Sequence, residues 1–306
     1  MYTFATALPD DLGFAARYRA VNQTFNNPFS LALSYRGHYS EVNCLLAGLV
    51  YGLMRRRRFI VDESNFEGLK WSDLYASVLP TAPMEVLQDI DPDWSMLVHS
   101  KPRFGSVRAR VRRRFDRRLP VWNFKIGLAG GVFAVTRQMA DAFCQPAFRT
   151  PLMLLPRPYA AVHIRRGDKL SGTLVNGSWT RPEGENIPVE AYVEVLRQRA
   201  PSVKSVWVMT DDFAAIGELR KLAPDLTFHT LCPPTDTGYH QSVFSSRSAG
   251  EKLAERKRLI AETEIAIRSE LFVGCFLSNV DRFIVLRHHD PKACYSLDRR
   301  QKWTPA

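Results

Sequence analysis

The chain contains no uninterrupted apolar run approaching ~18 residues, so none of it reads as a bilayer-spanning helix. Its first twenty residues lack a basic stretch ahead of an apolar core, which argues against a secretory signal. Cysteine is sparse. Cys44, Cys144, Cys232, Cys275 and Cys294 are scattered, with no pair at metal-ligand or disulfide-framework spacing. An odd, thin set of this kind fits buried thiols in a reducing cytoplasm. Internal repeats and low-complexity linkers are lacking as well. Aromatic side chains are scarce where a nucleic-acid binder would need them: the most basic stretch, residues 101–118, holds only Phe104 and Phe115. Without stacking platforms that stretch is a poor nucleic-acid surface.

What is present is an ordinary globular composition. The 306 residues are 45% hydrophobic and 24% charged, enough for a large core in one or two domains. The net charge of +11 is unevenly placed. Residues 101–118 hold nine Lys or Arg against one Asp, and residues 55–58 are four consecutive arginines. The excess is therefore local to the N-terminal half, and the remainder is nearly neutral. Segment 101–118 reads either as a solvated face or as a patch for an acidic acceptor or an anionic membrane surface. The expected location is cytoplasmic, with peripheral contact at the inner face of a membrane as an option, and no nucleic-acid partner is expected.

The N-terminal third carries one clear helix. Val42, Leu45, Leu46, Leu49, Val50 and Leu53 fall at i, i+3, i+4, i+7, i+8 and i+11, a single apolar stripe. Ser40 is its expected N-cap, with Glu41 in the first turn, and the arginine run closes it where cations suit the helix dipole. Residues 59–61 then read as a buried strand ending at Asp62-Glu63. Segment 149–158, with three prolines, reads as a crossing between an N-terminal α/β domain (1–150) and a second domain (151–306). Beyond it the pattern alternates. Strands are expected at 159–164, 206–209, 226–231, 271–274 and 283–286, and helices at 188–199, 213–222 and 251–268. Such alternation implies an α/β fold with a mostly parallel sheet covered on both faces. Ligands of such sheets bind at the carboxyl ends of the strands.

Three strand ends carry chemistry. The first runs His163-Ile164-Arg165-Arg166-Gly167-Asp168-Lys169. His163 and Arg165 share a strand face, Gly167 permits a tight turn, and the guanidinium fork and lysine suit phosphate oxygens. Arg166 and Asp168 could instead form a structural pair. The second end is Thr210-Asp211-Asp212. Its adjacent carboxylates invite a metal, but no third acid or histidine stands nearby, so orientation of an arginine from the neighbouring strand end is the better reading. The third is residues 274–282, GCFLSNVDR, where Ser278 and the amides after it form either an anion seat or a helix N-cap.

The motifs HIRRGDK, VWVMTDD and ELFVGCFLSNVDR, in that order, resemble the donor-site signature of the α1,6-fucosyltransferase family. Residues 36–66 are similar to that family's glycine-loop, helix and strand unit. The resemblance implies two facing Rossmann-like domains of GT-B glycosyltransferase architecture, with the acceptor on the N-terminal side and the donor domain on the C-terminal side. It implies an inverting, metal-independent transfer of fucose from GDP-fucose to a glycan or glycolipid acceptor, with no cofactor. By the same resemblance Arg165 would neutralise the diphosphate, with Arg166 beside it, and His163 would contact the nucleotide. Lys169 would lie near the phosphates or sugar. Asp211 and Asp212 would hold Arg165 and its loop, and Glu262 would read the guanine edge. Ser278, Asn279 and Arg282 would sit at the phosphates. Gly37, His38 and Tyr39 would face the donor from the other domain.

The sequence also departs from that family. Thr173 stands where the resemblance implies a catalytic glutamate, which leaves Glu183 and Glu185 in loop 171–186 as candidate bases. That gap motivates an alternative, a GDP-sugar-binding protein without transfer, or a transferase using another GDP-sugar. A metal-dependent reading through Asp89, Asp91 and Asp93 is weaker, because no apolar strand delivers them to a sheet edge.

Overall fold

A computed structural model describes residues 12–33, 37–64, 66–81, 132–150, 155–171, 174–175, 178–179 and 186–298. The chain divides into two compact units, the first running to Arg149 and the second starting at Thr150.

In the first unit the apolar stripe builds helix α2 (His38–Arg55), which follows α1 (Leu12–Gln23) and strand β1 (Phe29–Ala32). The expected cap is displaced: Gly37, at φ 94°, is the N-cap, and Ser40 lies inside the first turn. Only a residue at ease with positive φ lets the chain enter the helix there. Arg56 ends the helix in the left-handed conformation, and its neighbour Arg57 explains part of the arginine run structurally. Arg57 donates to the carbonyls of Asn27 and Pro28 and stands 5.1 Å above the Phe29 ring. Strand β2 (Phe59–Asp62) pairs parallel with β1, Phe29 opposite Phe59. Asn22 fixes β2 to α1 through two hydrogen bonds with the Phe59 backbone. Helix α3 (Val132–Phe143) packs on α1 and α2.

The second unit contains a five-stranded sheet formed by β3 (Tyr159–Ile164), β6 (Ser205–Thr210), β7 (Thr227–His229), β8 (Leu271–Gly274) and β9 (Cys294–Ser296). A small antiparallel pair, β4 (Leu174–Val175) with β5 (Ser178–Trp179), precedes β6 in the chain. Every pairing within the five-stranded sheet is parallel, in the order β7-β6-β3-β8-β9. The first strand of the unit is therefore central and the order reverses between β3 and β8. A doubly wound sheet offers its ligand crevice at that reversal, outside the carboxyl ends.

The two sheet faces are covered differently. Ala160, Val162, Ile164, Val206, Val208, Leu271 and Val273 pack with α5 (Val189–Arg199) and α6 (Ala214–Leu222) into one apolar cluster. The opposite face meets the long helix α8 (Ala249–Ile267), which follows the short α7 (Gln241–Ser246) and whose Ile265 carbonyl accepts from the Tyr159 hydroxyl at 2.8 Å. Ser248 caps α8 with a reciprocal Glu251 box, so the helix starts two residues before its expected position.

One expected strand is wrong. Residues 283–286 belong to helix α9 (Asn279–Arg287), and the edge strand is β9 instead. Phe283, Ile284, Val285 and Leu286 are all buried. A short run hidden on every side shows no helical period, so it imitates a strand. Among the described residues no helix is long and apolar enough to cross a membrane.

Candidate functional site

Strand β3 delivers its charged end to the reversal point. His163 is its last inward-facing residue on the α8 side, and it is buried. Its Nδ1 meets the carboxylate of Asp281 in the first turn of α9. Burial by itself would depress the imidazole, but the Asp281 charge and hydrogen bond outweigh it and raise its pKa. The other Asp281 oxygen accepts the Cys275 backbone N–H at 2.5 Å. One buried carboxylate thus ties the ends of β3 and β8 together. Gly274 makes room for it, since a Cβ there would sit 2.5 Å from Asp281 Oδ2.

Beyond His163, the two arginines part. Arg165 Nη2 bonds Asp168 at 2.8 Å and its Nη1 lies 3.2 Å from Asp211, with about a quarter of the side chain exposed. Arg166 is turned to the other side. It is held by Asp212 at 3.1 Å and by both Glu218 oxygens, at 2.8 and 2.6 Å, on α6. Those hydrogen bonds raise the arginine further and lower the Glu218 carboxyl. The Arg166–Asp168 structural pair allowed by the sequence does not form; each partner has found another. The acidic pair has separate tasks: Asp211 accepts the Arg166 and Tyr239 backbone N–H groups, and Asp212 accepts the N–H of Ala214, the first residue of α6.

On α8, Glu262 is buried and its Oε1 has no hydrogen-bond partner among the described residues. Burial pushes its carboxyl up to about 7, against the pull of Arg258 and His163. Arg258, one helical turn earlier, is pinned by Asp236 at 2.8 Å. A buried acceptor left open costs free energy unless something fills it, which makes Glu262 the strongest single mark of a ligand site.

The third strand end forms the other wall. Ser278 is the N-cap of α9, yet its side chain makes no capping bond. The hydroxyl is thus not committed to the helix, and Asn279 opens the first turn. Arg282 is buried and donates Nε to the Phe276 carbonyl at 2.7 Å, which shapes the turn.

The remaining expected residues belong to the first unit or have side chains outside the described residues. Gly37, His38 and Tyr39 belong to the first unit. There His38 Nε2 meets the Tyr75 hydroxyl at 2.6 Å, its ring stacks on Tyr75, and both His38 and Tyr39 are buried. Lys169 lies on the short helix α4 (Gly167–Ser171), but its side chain is outside the described residues, as are Thr173, Glu183, Glu185, Asp89, Asp91, Asp93 and segment 101–118. Among the described residues no group of three or more His, Cys, Asp or Glu is arranged to hold a metal ion. Sequence reasoning gave no role to Asp281, Glu218, Asp236, Arg258 or Tyr239. For Asp281 a signal existed: an acid three residues past an N-cap serine, following a strand that ends in glycine. Nothing in the loop around Tyr239 marks it.

No family model and no curated protein matches the sequence. Solved structures of fucosyltransferases are similar to it. POFUT1 in complex with GDP-fucose is 11% identical with a TM-score of 0.45, over 89% of this chain and 99% of that one. A mutant of Arabidopsis thaliana FUT1 in complex with GDP is 10% identical with a TM-score of 0.47, over 92% and 73%. The fucosyltransferase NodZ from Bradyrhizobium is 11% identical with a TM-score of 0.43, over 85% and 93%. At identities near one residue in ten and TM-scores below 0.5 these likenesses assign no residue, and the functional reading rests on the strand-end geometry.

Proposed function

We propose that this chain is an inverting, metal-independent glycosyltransferase of GT-B architecture that moves fucose from GDP-fucose to a glycan or glycoconjugate hydroxyl. The reading rests on three features of the second unit: Arg165 just past β3, the Ser278 turn after β8, and the open acceptor of Glu262 on α8, which feels the charges of His163 and Asp211. A carboxylate oxygen suits the N1–H and N2–H edge of guanine, and adenine presents no such pair of donors. The Arg165 fork and the amides opening α9 suit a diphosphate. When the sugar–phosphate bond breaks, negative charge grows on the leaving GDP, and a preorganised arginine stabilises it without reorganising. The acceptor hydroxyl must lose a proton on the opposite face of the sugar, and Glu183 or Glu185 would take it. Because Thr173 occupies the expected glutamate position, the second reading is a protein that binds a GDP-sugar without transferring it.

A calorimetric titration with GDP, with UDP and ADP as controls and EDTA present, tests the donor class. GDP-selective binding is expected. Equal affinity for all three, or none, would remove Glu262 as a base reader. Incubation with GDP-fucose then separates the readings: slow release of GDP is expected from a transferase, and tight binding without release from a sensor.

A further inference from the structure

The Arg165 guanidinium lies over the Tyr239 ring, 4.6 Å from its centroid, while Asp168 and Asp211 hold two of its nitrogens. We propose that Tyr239 is a positioning residue for Arg165: its aromatic face fixes the guanidinium so that the remaining N–H groups point outward to a diphosphate. The proposal rests on the donor-site reading above.

Tyr239 is built into the β3 end rather than resting against it. Its backbone N–H donates to Asp211 at 3.0 Å, and its carbonyl accepts the Asp168 N–H at 2.9 Å. The two acids that hold Arg165 therefore also hold the segment carrying the ring. Gln241 adds a backbone bond to Asp168 at 3.2 Å. Gly167 is what permits this approach: at φ 23°, any Cβ would collide with the Tyr239 carbonyl oxygen. The hydroxyl is anchored separately, donating to Gln241 at 2.7 Å and accepting from Arg256 at 3.2 Å. Arginine has many rotamers, and a phosphate ligand would otherwise have to freeze them. With two edges tied and one face covered, that ordering is done before the ligand arrives.

A double-mutant cycle on the full chain tests this, read by GDP titration with guanosine as a control and thermal melting as a check on folding. Tyr239→Leu is expected to weaken GDP about tenfold, on the scale of a desolvated cation–π contact, with guanosine binding unchanged. The same substitution in an Arg165→Met background is expected to change GDP affinity less than about twofold, because its effect runs through the arginine. An equal loss in both backgrounds, or an equal loss for guanosine, would overturn the proposal. Tyr239→Phe keeps the ring and is expected to stay within about threefold of the parent. A larger loss there would assign the effect to the hydroxyl and overturn it even if Tyr239→Leu does not fold. Failure of the unsubstituted protein to bind GDP would instead remove the donor site itself, and this inference with it.

Discussion

The two faces of the five-stranded sheet are built on opposite principles. On the α5/α6 side, alternate residues of β3, β6 and β8 contribute only Ala, Val, Ile and Leu to a continuous apolar cluster. On the α8/α9 side the same strands present Tyr159, His163 and Trp207. The covering helices add buried Asp281, Glu262, Glu264 and Arg287. Several of these are satisfied among themselves: His163 by Asp281, and Glu264 by Arg287 and Arg268. Others are not. Glu262 Oε1, Trp207 Nε1 and His229 Nε2 are buried with no hydrogen-bond partner among the described residues. Buried charge is poor value as a source of stability, since hydrophobic replacements often do as well. One face of the sheet manages without it and the other does not, so on the donor-site reading the polar face is the one a ligand would use.

The largest effect should come from the residue at the mouth of that polar face. Arg165→Ala is expected to lower GDP-fucose turnover about 10²–10³-fold, the usual loss when a preorganised donor to developing charge is removed. The melting temperature should change little, because the side chain is part-exposed and its acids retain the Arg166 and Tyr239 backbone bonds. Turnover within threefold of the parent, measured by GDP release, would break the distinction between a structural and a functional face.

Paired substitutions on opposite faces sharpen it. Ile216→Ala, in the apolar cluster, is expected to cost about 2–5 kcal/mol of folding stability and leave GDP affinity intact in protein that remains folded. Glu262→Gln should do the reverse, weakening GDP by roughly 10–100-fold, as loss of a paired base contact does. Its stability effect depends on pH in a defined direction. The folded carboxyl titrates near 7, above its ordinary 4.5, so the folded state holds the proton more tightly than the unfolded chain does. Stability from this group is complete below pH ~4.5 and declines as pH rises through 7. At pH 8, Glu262→Gln should therefore be more stable than the parent, by up to about 3 kcal/mol. Arg258, His163, Asp236 and Asp211 share the surroundings, and Arg258 and His163 favour the charged form. Denaturant melts at pH 5 and pH 8 measure the difference, and an identical gap at both would remove Glu262 as the titrating group.

Much of this was legible in the sequence because parallel strands buried on both faces read as continuous apolar runs. The bounds of β3 and β8 were expected residue for residue, and β6 within one at each end. The motif that begins at His163 also announced that a charged cluster would follow a buried strand. What the sequence could not carry was partner choice. Arg165 and Arg166 are adjacent and chemically identical, and only the alternation of side chains with the lie of α6 sends one to Asp168 and Asp211 and the other to Glu218. Tyr239 was invisible for a related reason: its contacts to Arg165, Asp168 and Asp211 reach back at least 28 positions, made through a loop without periodicity. The misread run at 283–286 failed for want of a polar face, since a helix buried all round leaves no stripe to detect.

The smallest effect tests the divergence of the two arginines. Glu218 is nearly half exposed and lies on α6, one turn past its start, where it takes both terminal nitrogens of Arg166. Although the geometry is bidentate, solvent screens the pair, so Glu218→Gln should cost no more than about 1 kcal/mol of stability. GDP affinity should stay within about twofold, because Arg166 keeps Asp212 and its guanidinium stays on the α6 side. If Arg166 instead reached for the diphosphate whenever released, the same variant would bind GDP more tightly, and raising the salt concentration would erase the gain. A rise in affinity of tenfold or more would therefore unite the two arginines in one phosphate grip. An unchanged affinity would leave Arg165 alone at the ligand and Arg166 as the bolt between β3 and α6.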